Sequence, residues 1–342
     1  MRTDLAVERL NAESPGAGVA VTRVEFAYGH ITRVVVEDDN GAKALGKPQG
    51  TYVTIECPGV HEGDADLRYA LSCTIAEELA RLLPPPAEQK TTLVVGLGNW
   101  NVTPDALGPK VVHELLVTRH LLSHAPESYT DGLASVCAVA PGVLGLTGIE
   151  TYEIITGVVE KVKPHVVVAI DALASHHVGR VGTTIQMANT GINPGSGIGN
   201  RRKALSKETL GVPVIALGVP TVVYAATIAH ATLDAAVTAA GGKRNGLRLS
   251  DDMRSELIAE VLSPHLGDLV VTPKEIDALI ESMAKVIAGG INVALHPRLD
   301  LQEIASPGTR PALLTGPAIS SFRRITAVLC LAPATHMLWP RP

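Results

Sequence analysis

Apolar and polar residues alternate through residues 18–37: Val19, Val21, Val24 and Phe26, then Ile31, Val34, Val35 and Val36. A period of two marks half-buried strands, and the Gly29-His30 step between the runs predicts a hairpin. Tyr52–Cys57 predicts a third strand of this kind. Residues 66–83 change to helical spacing and stop at Pro84-Pro85-Pro86, because proline cannot continue a helical hydrogen-bond ladder.

Beyond the prolines the strands become continuously apolar. Strands are predicted at Thr92–Val95, Ser135–Ala140, 165–170 and Val212–Leu217, alternating with helices at about 110–123, 149–162 and Val222–Ala239. Strands apolar on both sides belong to a sheet covered on both faces, and the alternation implies βαβ units with right-handed crossovers. The expected fold class is α/β. Two long polar, glycine-rich connections stand out, one from Gly96 to Pro109 and one from Ser175 to Asn200. Gly241–Gly246 reads as an exposed loop, and helical patterns resume at 252–262 and 273–288. Residues 5–300 are expected to form a single α/β domain, and 301–342 a proline-rich, irregular tail packed on the body.

Composition narrows the picture. The chain is 46% hydrophobic but only 3% aromatic, so its core must be built from Val, Leu, Ile and Ala. A net charge of -5 without long runs of one sign does not favour direct binding of nucleic acid, which needs a clustered basic surface. Arg201-Arg202-Lys203, the densest basic cluster, reads as a solvated helix start. The four cysteines, Cys57, Cys73, Cys137 and Cys330, form no CxxC pair and no zinc-like spacing, which fits a reducing cytoplasm. The opening residues lack an apolar signal region, and uninterrupted apolar runs fall short of the roughly 20 residues that span a bilayer. A soluble, cytoplasmic protein without membrane contact is expected.

Two aspartates carry the most chemistry. Asp105 closes the run Val94-Val95-Gly96-Leu97-Gly98-Asn99-Trp100-Asn101-Val102-Thr103-Pro104, and Asp171 follows Val166-Val167-Val168-Ala169-Ile170. Each is placed just past an apolar strand, at the crevice where open α/β sheets hold their sites. Asp105 is open to a plainer reading, as the cap of a turn or of the next helix. Asp171 has small, apolar neighbours, and a carboxylate there is costly unless paired. Two carboxylates in one crevice would share a proton and could activate water against an amide.

Other candidates are weaker. Gly96-Leu97-Gly98 and Gly195-Ser196-Gly197-Ile198-Gly199-Asn200 resemble anion-binding loops, but the dinucleotide fingerprint is incomplete. A non-enzymatic anion- or nucleotide-binding regulator stays open on these loops alone. His176 and His177 follow Asp171 closely enough to begin a metal site, yet no third ligand is evident from spacing. His165 sits at the opposite end of its strand, a structural position. There is no GxSxG elbow, and no cysteine lies at a strand-end turn.

Four stretches resemble the spore germination protease family. They are Val95–Pro109, Ala169–Ser175, Thr183–Asn200 and the opening Arg2-Thr3-Asp4-Leu5-Ala6-Val7-Glu8, and the similarity runs from residue 2 to about 300. The resemblance implies a mixed, largely parallel sheet with helices on both faces, similar to hydrogenase-maturation proteases. It implies an aspartic-type endopeptidase that needs no cofactor or metal, with Asp105 and Asp171 as its essential carboxylates. Asn99, Asn101 and Ser175 are candidates to orient the pair or an oxyanion. The implied substrates are small acid-soluble spore proteins, the implied assembly a homotetramer, and the compartment the forespore or spore core. The resemblance also implies a zymogen that cuts itself between Asp4 and Leu5. Met1–Asp4 is shorter than the family's usual pro-segment. Within enzymes, a metal-dependent maturation-type protease is the rival reading.

Overall fold

The computed structural model describes residues 4–10, 16–62, 65–85, 90–124, 132–194, 203–239, 260 and 269–297. The helical pattern at 252–262, apart from residue 260, the loop at 241–246, the second glycine loop at 195–200 and the tail at 301–342 lie outside them. The described chain builds one sheet from β1 (Val19–Phe26), β2 (Gly29–Val36), β3 (Gly50–Glu56), β4 (Thr91–Gly96), β5 (Ser135–Val139), β6 (Val166–Ser175), β7 (Thr184–Ala188), β8 (Val214–Tyr224) and β9 (Val270–Val271). The order is β1-β2-β3-β7-β8-β6-β4-β5, with β9 on β8. Strands β5, β4, β6 and β8 run parallel. From β8 outward through β7, β3 and β2 to β1 each pairing is antiparallel. The sheet is thus the expected mixed α/β sheet, with an antiparallel wing on a parallel block.

The helices are α1 (Asp39–Leu45), α2 (Ala65–Leu82), α3 (Leu107–Glu114), α4 (Arg119–His124), α5 (Leu144–Thr147), α6 (Thr151–Val162), α7 (Lys207–Leu210), α8 (Ala225–Ala239) and α9 (Ile276–Leu295). Alternate residues of the central strands enter opposite cores. Val94, Val168, Ile170 and Leu217 pack with Leu71 and Ile75 of α2, Leu107 and Val111 of α3, and Ile280 and Ile287 of α9. Leu93, Val95, Val167 and Ala169 pack on the other side with Ile155 and Val159 of α6 and Leu210 of α7. A smaller core lies under the antiparallel wing and includes Ala6, Val34, Val36, Leu45 and Tyr52. Both faces are covered, as continuously apolar strands require.

Helix α9 is long and apolar enough by length and composition to cross a membrane, but it is mostly buried within the fold. Its close approach to α2 explains why: Ser72 Oγ donates to the Val286 carbonyl at 2.9 Å. A Cβ on Gly290 would fall 2.6 Å from Ile75 Cγ2.

Several boundaries differ from the sequence expectation. The hairpin turn is Ala27-Tyr28, and Gly29 and His30 already belong to β2, with Phe26 opposite Gly29. The helix expected over 110–123 starts earlier and breaks into α3 and α4. Between them the Leu116 N–H donates to Asn292 Oδ1 at 3.0 Å, a partner outside any helix ladder. The polar, glycine-rich connection from Ser175 contains β7, whose Ile185 and Met187 are buried in the main core. Strand β8 runs to Tyr224, taking residues first expected in a helix, because β6 and β9 pair with its end.

Candidate active site

Strand β4 ends at Gly96, paired with Ile170 of β6, and the Leu97 N–H donates to the Ile170 carbonyl at 2.8 Å. The chain then turns sharply. Gly98 has φ +114, where an L side chain is strained, and a Cβ there would lie 2.0 Å from the Asp105 carbonyl oxygen. A Cβ on Gly96 would lie 2.2 Å from the Gly108 carbonyl. These glycines let the loop fold back on itself and admit the start of α3. Their conformation is accounted for without an anion.

Asp105 ends a single 3-10 turn, Thr103–Asp105, with Pro104 in its first positions. That turn packs against β6, β8 and α9. Thr103 Oγ1 donates to Asp277 Oδ1 of α9 at 2.9 Å, tying the turn to the helix. The backbone N–H of Asn99 donates to Asp105 Oδ2 at 2.8 Å and lies 3.0 Å from the Asp105 carbonyl. Asn99 therefore positions Asp105 through its main chain. Its side-chain Oδ1 accepts the Asn101 N–H at 3.0 Å and shapes the turn, and Asn101 itself is exposed.

Asp171 is buried at 6% exposure. The strand does not end before it. β6 continues to Ser175 because β8 runs beside it, pairing Asp171 with Gly218 and continuing to Ser175 with Val223. What ends there is β4, so Asp171 is the first residue of β6 beyond the β4 edge. Its Oδ1 accepts the Ala172 N–H at 2.9 Å. The structure thus brings the Asp105 turn onto the strand of Asp171.

Ser175 is occupied elsewhere. Its hydroxyl lies 2.8 Å from Glu8 Oε1 and 2.9 Å from the His177 carbonyl, and accepts the His177 N–H at 3.0 Å. It holds the N-terminal segment rather than orienting Asp171. The His176 N–H donates to Glu8 Oε2 at 2.9 Å, and Arg180 Nη1 forms an ion pair with Glu8 Oε1 at 3.1 Å. Arg180 Nε reaches Glu56 Oε1 at 3.1 Å, and Glu56 Oε2 lies 2.7 Å from His30 Nε2. With its side chain 1% exposed, Glu8 is a buried charge kept by these partners.

Asp4 and Leu5 sit just before this clamp. Leu5 and Ala6 are fully buried. The Asp4 carbonyl accepts from Lys47 Nζ at 2.9 Å and from Gln186 Nε2 at 3.1 Å. Burial pushes the Lys47 ammonium below its ordinary range, assisted by the charge of Arg9 and opposed by Asp4. Lys47, Gln186, Glu8 and Arg180 had no signal as a group in the sequence. Only the alternation in Thr184-Ile185-Gln186-Met187, read as a strand, would have turned Gln186 away from the core.

Histidine and cysteine add little. His165 caps the amino end of its strand, with Nδ1 2.9 Å from the Thr91 carbonyl. Burial raises the thiols of Cys57, Cys73 and Cys137, which makes them poor nucleophiles. Among the described residues no group of three or more His, Cys, Asp or Glu is arranged to hold a metal ion.

The germination protease family profile matches residues 3–247 and 246–306. The chain belongs to the germination protease family. It is 49% identical over 319 residues to the germination protease of Clostridium acetobutylicum, covering 89% of this chain and 98% of that one. It is 51% identical over 318 residues to that of Caldanaerobacter subterraneus, covering 89% and 97%. It is 44% identical over 353 residues to that of Bacillus subtilis, covering 90% and 96%. A nickel–iron hydrogenase maturation protease from Thermococcus kodakarensis superposes with a TM-score of 0.28 and 16% identity, over 61% of this chain and 98% of that chain. Membership in the germination protease family makes the chain a peptidase, and the non-enzymatic regulator is set aside.

Proposed function

We propose that this chain is an aspartic-type endopeptidase of spore germination in which Asp105 and Asp171 activate water. The observation that carries this reading is the packing of the Thr103–Asp105 turn against β6, the strand that buries Asp171. Two neighbouring carboxyls cannot both ionise cheaply, so one keeps its proton. The ionised carboxylate takes a proton from water as the oxygen attacks the scissile carbonyl. The protonated one polarises that carbonyl and then protonates the leaving amine. The pair titrates as a unit, so neither role is assigned to one residue.

The substrates proposed are small acid-soluble spore proteins, the assembly a homotetramer, and the compartment the spore cytoplasm. The enzyme is proposed to mature by cutting Asp4–Leu5, and no cofactor or metal is invoked. The test is cleavage of a peptide bearing the chain's own Thr-Asp-Leu-Ala sequence, with and without chelator. Asp105→Asn and Asp171→Asn are each expected to lower kcat by at least about a hundredfold, the scale of a lost general acid or base. Chelator should change nothing, and intact mass should show loss of Met1–Asp4 only in the wild type. Full activity in either variant would refute the carboxylate pair, and loss of activity on chelation would favour the metal-dependent rival.

A further inference from the structure

One edge of the sheet is β1, Val-Ala-Val-Thr-Arg-Val-Glu-Phe, which among the described residues pairs only with β2. An edge strand offers unpaired N–H and C=O groups to any second strand. Which residues offer them follows from the pairing with β2. The Glu37 N–H donates to the Gly18 carbonyl at 2.9 Å, and antiparallel pairs alternate between hydrogen-bonded and non-bonded. Counted in twos from Gly18, the residues bonded to β2 through their main chain are Ala20, Thr22, Val24 and Phe26. Phe26 closes the two-residue turn opposite Gly29, where a bonded pair belongs. Val21, Arg23 and Glu25 therefore turn their main-chain groups outward, and among the described residues none of these groups has a hydrogen-bond partner there.

Edges are ordinarily blunted by proline, by a bulge or by charges that repel a second strand, lysine above all. β1 has no proline, and its register with β2 runs without a bulge from Val19 to Phe26. Its two charges are of opposite sign. Arg23 Nε lies 3.4 Å from Glu25 Oε1, both side chains are exposed, and their spacing of two residues puts them on one face. Val24 lies between them on the other face and is also exposed.

We propose that β1 pairs with β1 of a second copy of this chain, antiparallel about a two-fold axis through Val24. In that register Arg23 is opposite the partner's Glu25, and Glu25 is opposite the partner's Arg23. The outward main-chain groups of both residues are satisfied, and two ion pairs form on one face. On the other face Val24 meets the partner's Val24, with Thr22 beside the partner's Phe26. Neighbouring registers lack this fit. An axis through Arg23 or Glu25 sets a charge directly against its own kind, which is destabilising. An axis through Thr22 sets Arg23 against the partner's Val21 and Glu25 against the partner's Val19. A two-fold contact is isologous and closed, so it joins two chains and no more. The inference deepens the proposed homotetramer, resting on that reading only for the number of chains, and four chains then need a second contact elsewhere.

Two measurements on the full chain test it. The first is association of charge variants, followed by light scattering and sedimentation on dilution through the micromolar range. Arg23→Glu puts two like-charge pairs across the axis and should weaken association at β1 about tenfold or more, as should Glu25→Arg. Dissociation should stop at two chains, because the second contact is untouched. The double variant Arg23→Glu/Glu25→Arg restores opposite charges and should associate as the wild type does, which separates a lost contact from a lost fold. The second is disulfide trapping under mild oxidation, with the wild type as control for the native cysteines. Val21 and Val24 are equally exposed, at 40%. Val24→Cys puts two thiols at directly opposed, non-hydrogen-bonded positions, where antiparallel strands bring side chains closest, and should give a covalent dimer. Val21→Cys leaves its two thiols roughly 20 Å apart along the strands and should not.

Association indifferent to both charge reversals, failure of the double variant to recover, or trapping of Val21→Cys as readily as Val24→Cys would overturn the β1 contact and leave the tetramer to other surfaces. A wild type of two chains, with the charge and cysteine results as expected, would support the contact and overturn the tetramer. A monomeric wild type, with no trapping through Val24→Cys, would overturn both.

Discussion

At the residue scale, the two aspartates are held by different means. Asp105 depends on a loop that only glycine permits, since Gly98 at φ +114 brings the Asn99 N–H onto the carboxylate. Asp171 depends on its neighbouring strand. A buried histidine at the end of α9 carries a pH consequence. His296 is buried, its Nδ1 accepts the Ala134 N–H at 3.2 Å, and its Nε2 faces the Leu116 carbonyl at 3.4 Å. Burial pushes this imidazole below its ordinary value of 6.5, outweighing the hydrogen bond to Leu116. The unfolded chain therefore takes up a proton near that value while the folded chain does not. Stability from this group is complete above it and falls as the pH drops below. Urea unfolding between pH 8 and pH 5 should show His296→Gln losing less stability than wild type. The difference should approach about 1.4 kcal/mol per pH unit within the window. Equal acid slopes for the two proteins would remove His296 as a source.

At the element scale, the site stands on the contact between α9 and its neighbours. This helix packs on α2 and α3 and also touches the Thr103–Asp105 turn. Gly290 sets how closely α9 approaches α2, and its Cβ position is crowded by Ile75 Cβ at 2.8 Å and the Ser72 carbonyl at 2.9 Å. Neither neighbour is the far end of a flexible side chain. Gly290→Val should destabilise by about 1–3 kcal/mol through overpacking, read as a lower denaturant midpoint. Because α9 also carries Asp277, the partner of Thr103, the substitution should lower peptidase activity as well. A gain in stability would mean that the two helices part freely. The clamp on Glu8 works differently, joining the N-terminal segment to β6 and to Arg180, residues far apart in sequence and adjacent only after the sheet has formed.

At the scale of the whole molecule, a group of the exposed apolar side chains falls on one edge of the sheet. Trp100, Val102, Leu146, Ile149 and Val178 follow β4, β5 and β6, and so lie on connections leaving the carboxyl edge of the parallel block. Others lie on β1, at Val21 and Val24, on β9 and next to it at Leu269, and on the connection entering β5, at Val117 and Leu122. Scattered single residues of this kind are ordinary, and several on one edge fit the proposed association. The proposed tetramer should appear in light scattering as a particle of four chains that persists on dilution to micromolar concentration. A monomer under those conditions would refute it.

The sequence by itself determined the alternation of strand and helix, the coverage of both faces, the loop that carries Asp105 and the apolar strand that leads into Asp171. These are local properties, written in periodicity and in glycine and proline placement. The opening residues were also legible as a distinct segment. The tertiary structure decided what those segments meet. A period-two pattern cannot state which strands become neighbours, so neither the length of β6 beyond Asp171 nor the presence of β7 could be read from it. Both follow from β8 offering hydrogen-bond partners on either side. Ser175 looked like part of the reactive centre because it is close to Asp171 in sequence, yet Glu8, far away in sequence, claims its hydroxyl. Gln186 looked like one polar residue among many until strand pairing brought it to the Asp4 carbonyl. Hydrogen bonds of this range carry no local signature, because each depends on a chain crossing that only the assembled sheet creates.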